Sequence, residues 1–301
     1  MAEVDAVSWS EFPSMSRTDL RSLRKSIDES FRDFSQEYGE SLERFFDSLL
    51  EFLIFSERLL LSTPWPLMIT ICAALAFLAS RSWKIVIGVV LAFSLIGYLG
   101  MWQDTMRTLS IITVCTMVAI AIGIPMGIAM ARSNKLQALI SPVLDVMQTM
   151  PSFVYLIPVV MLLGIGKVPG LIAVIIYALP PIVRLTNLGI RQVDPDVIEA
   201  ADAFGCSGWQ KLLNIQMPLA LPSIFAGVNQ TIMMSLSMVV IASMIGVKGL
   251  GQPVLKAITN QYFSMGLLNG FAIVAIAIIF DRVSQQYGRR IQQHRQGNHN
   301  G

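Results

Sequence analysis

The chain has 301 residues, of which 54% are hydrophobic and only 14% charged, a balance that excludes an ordinary soluble globule and points to a polytopic membrane protein. Its net charge of +2 hides an asymmetry: residues 1–64 carry thirteen acids and seven bases, whereas the remainder carries seven acids and fifteen bases. The three cysteines (Cys72, Cys115, Cys206) are an odd count that implies no disulfide framework, and His294 and His299 in the polar tail offer no metal cluster.

In chain order, residues 1–64 form an acidic tail that begins without a basic, apolar, cleavable segment. Residues 17–40 are polar and mixed in charge. From Leu42 the pattern tightens: Leu42, Phe45, Phe46, Leu49, Leu50, Leu53 and Leu60 fall on one helical face, with Glu43, Arg44, Asp47, Glu51 and Arg58 mostly on the other. This predicts an amphipathic helix lying on the membrane surface or against the bundle, with a soluble helix packed on a partner domain as the alternative. Apolar spans follow at 66–80, 83–100, 108–131, 143–164, 168–183, 222–245 and 265–283. The fold class is therefore all-α, a membrane bundle of about seven spans occupying residues 65–283, with a polar tail at 284–301. The first two spans are separated only by Arg81, Ser82 and Trp83 and must form a tight hairpin; six spans result if that pair is a single re-entrant element.

Prolines interrupt several spans. Pro125 lies within Gly123–Gly127, Pro151 and Pro158 break the fourth span, and Pro180–Pro181 close the fifth. Pro125, Pro151 and Pro158 are the expected helix bends of a bundle built around a cavity. Gly123 and Gly127 have the small-xxx-small spacing that lets membrane helices approach closely.

Between the fifth and sixth spans, residues 185–221 hold a polar island whose centre reads EAADAFGCSGWQKLLNIQMP from Glu199 to Pro218. Glu and Ala favour a short helix over Val197–Phe204, Asp194–Asp196 give it an acidic start containing Pro195, and Gly205 suits a left-handed helix end. Trp209–Ile215 makes a second amphipathic turn or two, and Pro218 and Pro222 mark re-entry into an apolar span.

The pattern of Glu199, Ala200, Ala201, Gly205, Ile215 and Pro218 resembles the EAA loop of ABC-importer permeases, with Met217 in place of the usual Leu. That resemblance implies a type I ABC-importer permease architecture. It implies that Glu199, Ala200, Ala201, Asp202, Gly205, Ile215 and Pro218 form a cytoplasmic coupling elbow docking on an ATP-binding cassette ATPase subunit. If the loop is cytoplasmic, Arg81, Lys84, Arg132, Lys135, Arg184, Arg191, Lys211, Arg282, Arg289, Arg290 and Arg295 lie inside. Only Arg107, Lys167, Lys248 and Lys256 lie outside. The positive-inside rule then places residues 1–64 outside and the C-terminus in the cytoplasm.

The chain lacks a phosphate-binding Gly-x-x-x-x-Gly-Lys-Ser/Thr motif, a serine elbow and a His-Glu-x-x-His motif, so an enzyme is not expected. Asp145 and Arg184 are expected near span ends, leaving few charges at mid-membrane for a proton- or sodium-driven transporter. Beyond the loop, Asp145–Pro158, Ile245–Pro253 and Asp281–Arg282 are similar to glycine betaine, proline betaine and choline permeases, over roughly residues 65–290. This implies a multi-pass subunit of the bacterial cytoplasmic (inner) membrane that imports quaternary ammonium osmoprotectants by alternating access. The implied partners are ATPase subunits that bind ATP and Mg, an external or periplasmic substrate-binding protein, a second permease copy and membrane lipid, with no nucleic acid and no cofactor in this chain. A permease for methionine, taurine or another small solute is the alternative within the class. A self-contained secondary transporter is the alternative outside it.

The orientation predicts that a cysteine at Ser14 reacts with an impermeant maleimide in intact cells while one at Ser207 does not. The reverse labelling pattern would overturn the topology.

Overall fold

The computed structural model describes residues 14–297 and is helical almost throughout. Among those residues α1 spans Arg17–Ser62, α2 Trp65–Ser80, α3 Trp83–Tyr98, α4 Trp102–Arg132 and α5 Asn134–Thr149. After a 3-10 turn at Ser152–Tyr155 come α6 (Leu156–Leu163), α7 (Lys167–Arg191), α8 (Pro195–Ala203) and α9 (Gly208–Lys211). A π-helical turn at Leu212–Gln216 leads into α10 (Met217–Ala242), followed by α11 (Gly251–Asn260) and α12 (Phe263–Gly297). His299 lies outside the described residues.

The centre of the bundle is α7, packed against α4 on one side and α10 on another. Glycines make both crossings close. A Cβ at Gly127 of α4 would stand 2.7 Å from the Val183 carbonyl oxygen and 2.6 Å from Thr186 Cβ. A Cβ at Gly189 of α7 would stand 2.7 Å from Ser223 Cβ of α10. In a membrane, where lipid is as apolar as leucine, such backbone approach supplies much of the packing between helices. Cys115, Val174, Met238 and Ala242 are buried in the main apolar cluster, while Ile182, Ile190 and Ile224 form a second one toward the other end of α7.

The spans differ from the sequence pattern in three ways. Four helical stretches, Trp102–Arg132, Lys167–Arg191, Gly208–Ile245 and Phe263–Gln286, are long and apolar enough to cross a membrane. Two further candidates are bent pairs, which gives up to six spans by length and composition among the described residues where about seven are expected. The hairpin of α2 and α3 forms as expected, with Arg81 in a left-handed turn, but each arm has only 16 residues. That is about 24 Å, short of the roughly 30 Å hydrocarbon core.

The expected fourth span, 143–164, is no single helix: α5 and the Ser152–Leu163 segment meet at 112°. Pro151 sits at that corner in extended-type backbone, whereas Pro158 falls in the first turn of α6, where a missing N–H is tolerated. Pro180 and Pro181 do not close the fifth span; both are buried inside α7, which continues to Arg191. Arg184, expected in a cytoplasmic segment, is consequently within a helix of the bundle.

The amphipathic helix is also longer than its apolar stripe, starting at Arg17, where Ser16 caps it by accepting the Asp19 N–H at 3.1 Å. Leu49, Leu53 and Leu60 pack on the main cluster, but Phe45, expected on the same face, is 75% exposed. Glu57 ties this helix to the N-terminal ends of α4 and α7, reaching Arg107 at 3.5 Å and Lys167 at 2.5 Å. At Thr63–Pro64 the chain turns through 110° into α2. No break separates the expected 284–301 tail from the last span, since α12 continues through Gly297.

Gly127→Leu should prevent formation of the folded bundle, because overpacking of roughly 1–3 kcal/mol here meets backbone that cannot yield. Gly88→Leu in α3, where a Cβ meets nothing within 4 Å, should be tolerated. Detergent-solubilised yield and thermal stability of the two variants check this, and equal behaviour would contradict the close-crossing account.

Candidate coupling elbow and bent helices

The polar island folds as a short helical elbow. Asp194 caps α8 by accepting the Asp196 N–H at 3.0 Å, and Pro195 occupies the first turn, where its fixed φ suits a helix start. At the other end the Cys206 N–H donates to the Ala201 carbonyl and the Gly205 N–H to the Asp202 carbonyl, both at 3.0 Å. This is the Schellman pattern, with Gly205 at φ +72°. A Cβ on Gly205 would meet nothing within 4 Å, so backbone angle alone selects glycine there.

Ser207 then opens α9 with a capping box, accepting the Gln210 N–H while the Gln210 side chain accepts the Ser207 N–H at 2.8 Å. Ser-x-x-Gln at 207–210 is a legible helix-start signal that the reading of this loop as one turn or two passed over. The π-helical turn Leu212–Gln216 contains Ile215, and Pro218 follows in the first turn of α10.

The expected coupling residues therefore occupy one compact hairpin, but they do not share a face. Glu199, Ala200 and Asp202 are exposed, whereas Ala201 is only 5% exposed and turns into the chain's own packing. Beside the exposed set stand Val197 and Phe204, the latter 89% exposed, an apolar pair the motif does not specify. Asp202 bonds Lys211 at 2.6 Å, joining the two arms of the hairpin across its surface. An exposed pair of this kind contributes about 1 kcal/mol or less.

One arginine connects the elbow to the bundle and a second ties α7 to α4 beside it. Arg132, the last residue of α4, lies 4.6 Å from the Trp209 ring centre, a cation–π contact. Arg191, at the end of α7, donates from its terminal nitrogen to the Met130 carbonyl at 2.8 Å and from Nε to Asn187 at 3.1 Å. The Arg132–Trp209 and Arg191–Met130 contacts could not be read from the sequence, since each joins segments separated by tens of residues.

The prolines expected to bend helices lie apart from the elbow, and α4 runs unbroken through Pro125. Pro125 is inside α4 between Gly123 and Gly127, and Pro151 marks the corner between α5 and α6. Near that corner Tyr155 donates to the Met147 carbonyl and stacks edge-on with Tyr177 of α7 at 5.8 Å.

Residues 119–293 match the family of binding-protein-dependent transport system inner membrane components, a stretch that contains α7, the elbow and α10 entire. The chain belongs to this family. Among curated relatives, the glycine betaine/carnitine transport permease protein GbuB of Listeria monocytogenes is 49% identical over 210 residues, covering 70% of this chain and 74% of that one. The glycine betaine/proline betaine permease protein ProW of Escherichia coli is 50% identical over 235 residues, covering 77% of this chain and 66% of its own. Among solved structures, an inward-facing form of the MetNI methionine ABC transporter aligns with TM-score 0.56 at 19% identity, over 62% of this chain and 93% of that one. That likeness establishes the type I importer fold. As a permease of the binding-protein-dependent family, the chain is a multi-pass membrane protein that works with further transport components.

Gly205→Val should lower transport markedly with normal membrane abundance, since a β-branched residue in the left-handed region costs roughly 1–2 kcal/mol or more. Gly205→Asn should stay near wild type, because Asn adopts that region readily. Ala201→Trp should disturb the elbow itself by filling a buried position. Wild-type transport in both Gly205→Val and Ala201→Trp would reduce the elbow to a connector.

Proposed function

We propose that this chain is the membrane-spanning permease subunit of an ATP-driven importer for quaternary ammonium osmoprotectants such as glycine betaine, proline betaine and choline. The observation that carries the reading is identity of 44–50% to permeases named for glycine betaine transport from Listeria monocytogenes, Escherichia coli and Bacillus subtilis. Relatives at 34% identity are named for trimethylamine N-oxide, another fully substituted, zwitterionic nitrogen compound.

In this reading two copies of the chain form the pore, and ATP and Mg are bound by partner ATPase subunits rather than here. An external binding protein delivers the cargo. The N-terminal tail lies outside and the C-terminus in the cytoplasm, on the support of the charge distribution. Each ATPase subunit grips the exposed face of α8, where Val197, Ala200 and Phe204 supply apolar contact and Glu199 a polar one. Gly205 sets the angle at which α8 leaves that surface. Closure of the ATPases on ATP moves the elbows, and the helices bent at Pro125 and Pro151 turn the path outward to receive substrate. The methionine importer shares the fold at 19% identity, which supports no choice of cargo.

Deletion of the gene in a strain with no redundant importer should abolish high-affinity glycine betaine uptake, and restoration should require the ATPase and the external receptor. Unchanged betaine and choline uptake after deletion would refute the cargo.

A further inference from the structure

A cavity of about 440 Å³ opens between α5, α7 and α10, within the size range of small-molecule sites. Gln137, Ser141 and Gln148 line it from α5, Arg184 and Asn187 from α7, and Gln230 from α10. With Asp145, the α5 residues recur at spacings of four, four and three, which puts them on one helical face. Elsewhere on α5, Leu136, Ile140, Leu144 and Met147 pack inward, and Leu139, Val143 and Val146 are exposed. A helix with apolar residues on two sides and one continuous polar stripe beside a cavity is built to pass or hold something polar.

Beside this cavity Asp145 and Arg184 form an ion pair that joins the broken span to the central helix. The pair uses one terminal guanidinium nitrogen, and Arg184 Nε is buried with no hydrogen-bond partner. Arg184 therefore retains donors in the fork geometry that a carboxylate matches bidentately.

We propose that Asp145–Arg184 is an exchangeable gate in the translocation path, opened by a zwitterionic cargo carrying a carboxylate and a quaternary ammonium; this rests on the cargo reading above. The cargo carboxylate takes Arg184 from Asp145, and the quaternary ammonium takes the place of the guanidinium beside Asp145. Both protein charges stay compensated during the exchange. Of the two groups Arg184, 38% exposed and with its Nε buried, is the costlier to leave unpaired, whereas Asp145, 63% exposed, is the better solvated and gives up its partner more readily. A solute bearing only a positive charge, choline among the cargoes proposed above, leaves Arg184 without a partner and opens the gate less readily than the two betaines, and an uncharged one leaves both groups without one. Because the pair spans α5 and α7, its opening removes the polar tie that stands beside the apolar packing of Leu144 on Val183.

The test uses the complete importer reconstituted in liposomes with its ATPase and receptor, and reads radiolabelled glycine betaine uptake. The double variant Asp145→Asn with Arg184→Gln removes both charges together, so a purely structural pair predicts uptake near wild type or a loss that follows lowered stability. The gate predicts uptake reduced by roughly tenfold or more with an unchanged melting temperature, since a tenfold effect corresponds to one lost interaction of ordinary size. Unchanged uptake in the double variant, or uptake falling only in step with the melting temperature, overturns the gate and leaves the cargo reading standing. Absence of betaine uptake by the wild-type importer refutes the cargo reading and the gate with it.

Discussion

The close approach of α4 and α10 to the central helix α7 is the constraint on which the other features depend. In water, burial of apolar side chains would hold such helices together whatever their exact separation. In lipid the apolar surface gains little by turning inward, so contact quality has to replace it. Gly127 brings α4 down onto the Val183 carbonyl, and Gly189 lets α7 meet Ser223 of α10. Once those two crossings are fixed, the ends of α4, α7 and α10 are fixed too. Those ends carry the elbow at one extreme and the Glu57 ion pairs at the other.

The elbow was the part most legible in the sequence, because short-range chemistry determines it. Asp194 and Pro195 start α8, Gly205 ends it, and each signal acts within a few residues of the backbone group it satisfies. The burial of Ala201 was not legible, since the motif gives residue types and not which side of the helix meets the chain's own body. The exposed Phe204 was overlooked for the opposite reason: an apolar residue at a helix end reads as packed until its surroundings are known.

The short α3 accounts for the difference from seven spans, and the limits of the other spans moved where proline's effect depends on its surroundings. A proline removes one backbone donor and crowds the preceding turn, and the consequence depends on what surrounds it. At Pro180 and Pro181 the helix is enclosed by neighbours, and α7 runs through. At Pro151 the chain is at the end of α5, so the extended backbone that proline favours turns the corner. The same periodicity that marked 143–164 as a span also hid the polar stripe of α5, whose residues are too sparse to lower the average hydropathy. Asp145 and Arg184, read separately as charges near span ends, meet only because α5 lies along α7 in three dimensions.

The contacts around the elbow differ in strength and in what they join. Asp202–Lys211 makes the hairpin's arms move together, and its partial exposure keeps that link weak. Arg132 over Trp209 joins the second arm of the elbow to the end of α4, and Arg191 on the Met130 carbonyl ties that end of α4 to the end of α7. The elbow thus contacts the end of α4 directly and that of α7 through α4, and it lies apart from the corner at Pro151. Because α4 and α7 are locked to each other at Gly127, they move as one body. The relative motion that remains available is at the α5–α6 corner, where the Asp145–Arg184 pair is the polar tie between that element and the central helix.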